Sequence, residues 1–185
     1  MKQKNLVRIL LSVCVMLVLM SGIVFAETTD TQSVLIPEEE MKIGDLHLGI
    51  TLEEVVKNYG APTTMREGVG EYGPFKLYIY RNAAGNEDLA ISASILKQAN
   101  FAKTIMVRRT GLATPKGFAV GTEFAKVQEA YGPGSVEELN SKRYVDIYGS
   151  VTTQHTYQGK KAMTYFIIVE GADGLIKEMR LYLED

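Results

Sequence analysis

Leu48-Gly49-Ile50-Thr51-Leu52-Glu53-Glu54-Val55-Val56-Lys57-Asn58-Tyr59-Gly60-Ala61-Pro62 is answered later in the chain by Val120-Gly121-Thr122-Glu123-Phe124-Ala125-Lys126-Val127-Gln128-Glu129-Ala130-Tyr131-Gly132-Pro133. Leu48-Gly49 and Val120-Gly121, Val55 and Val127, and Tyr59-Gly60 and Tyr131-Gly132 all stand at one offset of 72 residues. A fixed period of this kind is the signature of a repeated folding unit. In the first stretch Thr51 and Glu54 have the spacing of a capping box. Leu52, Val55, Val56 and Tyr59 then make one apolar helical stripe, and Gly60 with Pro62 stops it. In the second, Thr122 is the expected cap, Phe124, Val127 and Tyr131 form the stripe, and Gly132-Pro133 ends it. Helices this short need a sheet to lie on.

Strand signals follow each helix. Phe75, Leu77 and Ile79 alternate with Lys76, Tyr78 and Tyr80, and 89–95 and 104–107 are rich in β-formers. In the second half Val145 and Ile147 alternate with Tyr144, Asp146 and Tyr148, which predicts another strand. Residues 151–157 and 162–169 read as a hairpin turning at Gln158-Gly159, and Ala172-Asp173-Gly174 is a further turn. The last strand sets Met179, Leu181 and Leu183 against Glu178, Arg180 and Tyr182. A helix followed by antiparallel strands, twice over, predicts an α+β fold of two tandem repeats, each a short helix or helix pair on an antiparallel sheet. The expected division is a signal peptide at 1–26, a linker at 27–41, a first repeat at 42–112 and a second at 113–185.

The N-terminus carries Lys2, Lys4 and Arg8 before a run from Ile9 to Phe25 without a charge, and Val24-Phe25-Ala26 has the small-residue pattern of a cleavage site. Export to an extracytoplasmic location, secreted or at a bacterial cell surface, is therefore expected. An uncleaved membrane anchor is the competing reading and would be the chain's one tie to a membrane. Removing those three cations from 20 basic residues leaves 17 against 22 acidic ones, a formal charge of −5. Nucleic acid is a poor partner for such a chain. The sole cysteine, Cys14, lies inside the apolar run and follows Val13 where a lipidation signal needs a small residue, so neither a lipid anchor nor a disulfide is expected.

Motifs for catalysis are wanting. Gly68-Val69-Gly70-Glu71-Tyr72-Gly73 spells GxGxxG, but a helix precedes it and Pro74 with a strand follows, the reverse of the order dinucleotide binding requires. It reads as a hairpin or loop. His47 and His155 lack metal-ligand spacing and read as solvent-facing or satisfied strand histidines, and Gly134-Ser135 lacks the second glycine of a nucleophile elbow. Glu38-Glu39-Glu40 after Pro37 reads as a solvated edge or a first helical turn. Glu53-Glu54 and Glu137-Glu138 are adjacent, so their carboxylates diverge and make poor catalytic pairs. The sequence points to a protein without enzyme activity and without a cofactor or metal.

Period-two reading of the strands puts Tyr78, Tyr80, Tyr144, Tyr148 and Tyr182 opposite the aliphatic face, which predicts a tyrosine-lined surface, the chemistry enriched where proteins bind proteins. The same tyrosines could equally serve as cross-strand pairs that stabilise the sheet.

The stretch from Leu48 to Pro62 and its echo from Val120 to Gly132 resembles the repeated opening of the β-lactamase inhibitor protein family, and also the outer-membrane assembly lipoproteins of the SmpA/OmlA type, which carry one such unit. The resemblance covers the chain from about Lys42 to its end. It implies a helix pair on an antiparallel sheet in each unit, and a concave aromatic surface that grips a protein partner. A Gly-Asp-Tyr hairpin enters the target in that family, and Gly70-Glu71-Tyr72 stands in the comparable place with glutamate for aspartate. The family's disulfides have no counterpart here. The function expected is a non-catalytic protein-binding module using Glu71, Tyr72, Tyr78, Tyr80, Tyr144 and Tyr148, its partner a protein. The alternative is a structural or assembly accessory of the cell envelope.

Overall fold

Thr51 caps helix α1 (Leu52–Tyr59) with both halves of a capping box: its hydroxyl oxygen accepts the Glu54 amide at 3.2 Å, and the Glu54 carboxylate accepts the Thr51 amide at 2.9 Å. Leu52 and Val55 are buried beneath it. Helix α2 (Phe124–Tyr131) buries Phe124, Val127 and Tyr131, the stripe expected of it. Its N-cap, however, is Glu123, and no side chain bonds there. Thr122 instead takes the Ala119 amide at 3.0 Å and closes the turn ahead of the helix. These facts come from a computed structural model that describes residues 34–70, 73–96 and 99–184. The expected signal peptide lies outside the described residues.

Behind the helices stands an antiparallel sheet of eight strands. These are β3 (Thr64–Gly70), β4 (Gly73–Arg81), β5 (Glu87–Leu96), β6 (Ala99–Val107), β7 (Ser135–Leu139), β8 (Thr152–Gln158), β9 (Thr164–Glu170) and β10 (Ile176–Leu183), after a separate small pair, β1 (Lys42–Ile43) and β2 (Leu46–His47). Their order is β3-β4-β5-β6-β10-β9-β8-β7, so two four-strand runs join where β6 meets β10. The protein is thus α+β, with a large antiparallel sheet and three α-helices among the described residues. The third, α3 (Lys142–Tyr148), occupies the stretch predicted as a strand. Ser141 and Gly149 flank it in start and stop positions, Gly149 at φ 78° with its amide on the Val145 carbonyl. Alternating Tyr, Val and Ile mimic a strand there only because a seven-residue segment is too short to separate the two periods.

The two runs repeat several bonds. Tyr80 on β4 donates its hydroxyl to the Gly60 carbonyl at 3.0 Å, and Tyr157 on β8 donates to Gly132 at 3.0 Å. Both glycines close a helix at positive φ, 79° and 78°, a conformation that costs a residue with a Cβ. Ahead of α1, the Gly49 amide bonds the Ala102 carbonyl, and Ala102 returns one to Ile50; ahead of α2, Gly121 bonds Ile176, and Ile176 returns one to Thr122.

One register row faces the helices across six strands: Tyr78, Ile91, Ile105, Leu181, Phe166 and Tyr157. The next is Tyr80, Leu89, Val107, Met179, Ile168 and His155. With the helix stripes these rows form a single buried core. The stretch expected as a linker joins that core from Ile36 onward. Ile36 is fully buried and bridges to Gly159, the 3₁₀ turn Glu38–Glu40 follows, and Glu40 receives the Tyr131 hydroxyl at 2.6 Å. Burial first, and then Glu40, raises the Tyr131 phenol well above its ordinary range.

Replacing Tyr80 or Tyr157 by Phe is expected to lower stability by about 1 kcal/mol each, the net worth of one bond plus a carbonyl left short of a partner, read as a shift in urea midpoint. At the α1 cap, the Thr51 amide and hydroxyl hold the Glu54 carboxyl below its ordinary range. Its contribution is therefore complete above the ordinary glutamate range and is lost as pH falls through the lowered value. Glu54→Gln should flatten the acid limb of a thermal-melting profile against pH relative to the parent protein.

Candidate functional site: the open sheet face

A sheet with helices on one side usually turns polar side chains to solvent on the other. Here the second face has a largely apolar row, Ile79, Ala90, Met106, Arg180, Ile167 and Thr156, in which Ile79 and Ile167 are themselves buried, beside a mixed one, Leu77, Ser92, Thr104, Tyr182, Tyr165 and Gln158. Between them lies a hollow of about 360 Å³ walled by Leu77, Met106, Ile167, Arg180 and Tyr182. A second hollow of about 250 Å³ shares Ser92, Thr104 and Tyr182 with it and runs on to Phe75 and to Gly70 and Gly73 of the β3–β4 hairpin. The rings of Tyr182 and Tyr165 stack with centroids 6.2 Å apart, which braces this part of the face. Near the hairpin's free edge Val69 is 82% exposed and Met65 65%.

Helix α3 closes the other end. Its Tyr148 hydroxyl donates to Glu178 at 2.8 Å, Arg108 Nε donates to the same carboxylate at 2.7 Å, and Arg180 binds the second oxygen. Glu178 is fully buried, so all of its charge is balanced by these groups. Burial, then the neighbouring Glu178 charge, pushes the Tyr148 phenol far above its ordinary range. Burial alone would lower Arg108, and Glu178 with Tyr148 more than offsets it. The Arg108 guanidinium also sits 5.6 Å over the Tyr148 ring. Through these bonds the carboxylate docks the helix.

The tyrosines expected to share one surface are divided. Tyr78 and Tyr80 point to the helix face, Tyr78 half-buried and Tyr80 only 5% exposed, which inverts the phase read from β4. Leucine and isoleucine outrank tyrosine in hydrophobicity, so alternation alone favoured Phe75, Leu77 and Ile79 as the inner set. The Gly60 carbonyl, waiting for a hydroxyl, reverses that preference. Tyr144 and Tyr148 stack on each other at 6.5 Å on α3, not on a strand. Glu71 and Tyr72 lie outside the described residues, although β3 and β4 pair through Gly70 and Gly73 on either side, as the hairpin reading requires. Tyr182 is on the outer face as expected. Sequence reasoning missed the half-buried Phe75, Leu77 and Tyr165 of this face; the one signal for them is that both phases of β4 and of Tyr165 to Val169 are apolar.

Neither histidine belongs to this face. His47 is exposed on β2, while His155 is buried, stacked on Phe124 at 3.8 Å, with Glu170 and the Pro133 carbonyl at its two ring nitrogens. Among the described residues no cluster of three His, Cys, Asp or Glu is placed to hold a metal.

No protein-family model matches the chain, and no curated protein does. Among solved structures, the chain is similar to a DUF4309 family protein (YjgB) from Bacillus subtilis at 19% identity, over 76% of this chain and 83% of that one, with a TM-score of 0.40.

Glu178→Ala would strand two guanidiniums around an empty site and should cost about 3–5 kcal/mol in chemical denaturation. Tyr148→Phe removes a single bond to a charged acceptor and should cost about 1.5–3 kcal/mol. If Tyr148→Phe proves the more damaging of the two, the carboxylate is not the anchor of α3.

Proposed function

We propose that this chain is an exported, non-catalytic module that binds a protein partner across the open sheet face, with the β3–β4 hairpin at one border and α3 at the other. The observation that carries the reading is the outer pair of register rows, where Leu77, Met106, Ile167 and Tyr182 wall a hollow on a face that an isolated sheet would make polar. Contiguous apolar surface rimmed by charge is the mark of an interaction site. Export rests on the N-terminal sequence. No helix among the described residues is long and apolar enough to cross a membrane.

The architecture we infer is two copies of one unit, joined edge to edge. The matched Tyr80–Gly60 and Tyr157–Gly132 bonds support it, as do the matched backbone ladders at Gly49 and Gly121. In this arrangement the two sheets of the inhibitor-like scheme become one continuous platform, and the hairpin carrying Glu71 and Tyr72 is the element that projects into the partner.

A photo-crosslinking residue at 77 or 182 should capture the partner in the producing cell, while one at Lys126, on the helical side, should not. Leu77→Asp and Tyr182→Ala should then each weaken the captured complex by about 2 kcal/mol, the scale of an interface hot spot. Equal capture from 126, or affinity indifferent to both variants, removes the proposal.

A further inference from the structure

The two register rows of the open face run on to the edge strands, one through Thr64 and Ser135, the other through Arg66 opposite Leu77. Over that whole length they carry two arginines, Arg66 and Arg180, and no acidic residue. The chain as a whole leans the other way, with 22 acidic residues to 20 basic ones. Arg66 is exposed, and among the described residues its guanidinium has no partner. Glu67 beside it alternates to the opposite face and pairs there with Lys76 at 2.9 Å.

Arg180 is the one charged residue on the walls of the 360 Å³ hollow, with its side chain 24% exposed. Glu178 is bonded at Nη2, which takes up one side of a planar fork of five N–H donors. That carboxylate leaves a positive charge over, because Arg108 shares it and the Tyr148 phenol stays neutral. Helix α3 at the border adds Lys142 and Arg143 against Asp146, all exposed. Glu184, just past β10, is engaged by the Tyr165 hydroxyl.

Spacing limits what can meet both arginines. From β3 to β10 is four steps in the strand order, about 19 Å at about 4.8 Å a step. An extended chain advances about 3.4 Å per residue, so two carboxylates about six residues apart reach from one arginine to the other. The residues between them pass over Leu77 and the hollow.

We infer that the partner segment taken by this face is an extended acidic peptide, with one carboxylate on Arg180, a second on Arg66, and an apolar side chain between them in the hollow walled by Leu77 and Tyr182. This rests on the protein-binding reading of the face and supplies the chemistry of the partner.

Fluorescence anisotropy with three labelled seven-residue peptides tests it, each with leucine in the middle and with aspartate, asparagine or lysine at both ends. The aspartate peptide should bind with a Kd below about 1 mM and at least ten-fold tighter than the lysine one. Glycine in place of its leucine should weaken it at least five-fold, which separates a peptide site from one that holds any polyanion. Arg66→Glu should weaken the aspartate peptide at least five-fold and leave the asparagine peptide and the thermal melt unchanged. No binding of the aspartate peptide at about 1 mM, equal affinity across the three charges, or indifference to glycine or to Arg66→Glu each overturns the inference. Acid-selective binding that persists in Leu77→Asp places the peptide elsewhere and overturns it too. Crosslinking from residues 77 and 182 reads occupancy of the face whatever the partner's charge, so capture there alongside charge-blind peptides removes the acidic segment and keeps the face.

Discussion

The antiparallel pairing of β6 with β10 is the constraint on which the rest depends. Met179 lies opposite Val107 and Leu181 opposite Ile105, so on the helix side the seam between the two four-strand runs is made of fully buried side chains. A four-strand run with one helix would by itself bury too little apolar surface to be comfortably stable. Joining two such runs turns two sheet edges into interior strands and gives both helices one common core. It also halves the number of sheet edges that would otherwise recruit other chains, leaving only β3 and β7 at the ends.

An eight-stranded platform has two faces, and the helices can cover only one. On the far side, α3 protects part of the second face, held by a carboxylate that receives two guanidiniums and a phenol. Such a cluster is a poor source of net stability compared with apolar packing, but it is demanding in geometry. It ties α3 to β6 and β10 at one place, which leaves the hollow around Leu77 and Tyr182 uncovered. The binding proposal and the docking of α3 are in this sense two consequences of one sheet having more apolar surface than its own chain can bury.

Local chemistry was legible residue by residue. Thr51, Glu54 and Gly60 specify α1 through bonds made within the helix itself, and Ala172-Asp173-Gly174 marks the β9–β10 turn by backbone preference. At α2 the helix starts one residue later than a threonine cap would place it, because the Thr122 hydroxyl accepts the Ala119 amide of the preceding turn. Ile36 gave no local sign of burial: Val34 and Leu35 beside it are as apolar and stay exposed, so which of the three lies inside is known only once Gly159 pairs with Ile36. The open sheet face was the least legible part, since Tyr78 and Leu77 are both apolar enough to be inside.

What the sequence alone determined is therefore the set of elements whose stabilising contacts lie within a few residues: the two opening helices, the hairpins and the α+β class they imply. The tertiary structure alone decided which side of β4 faces inward, that 142–148 coils rather than extends, and which tyrosines remain at the surface. Those choices turn on partners distant in the chain, Gly60 for Tyr80 and Glu178 for Tyr148, and a period of two or of 3.6 carries no information about an acceptor 20 or 30 residues away.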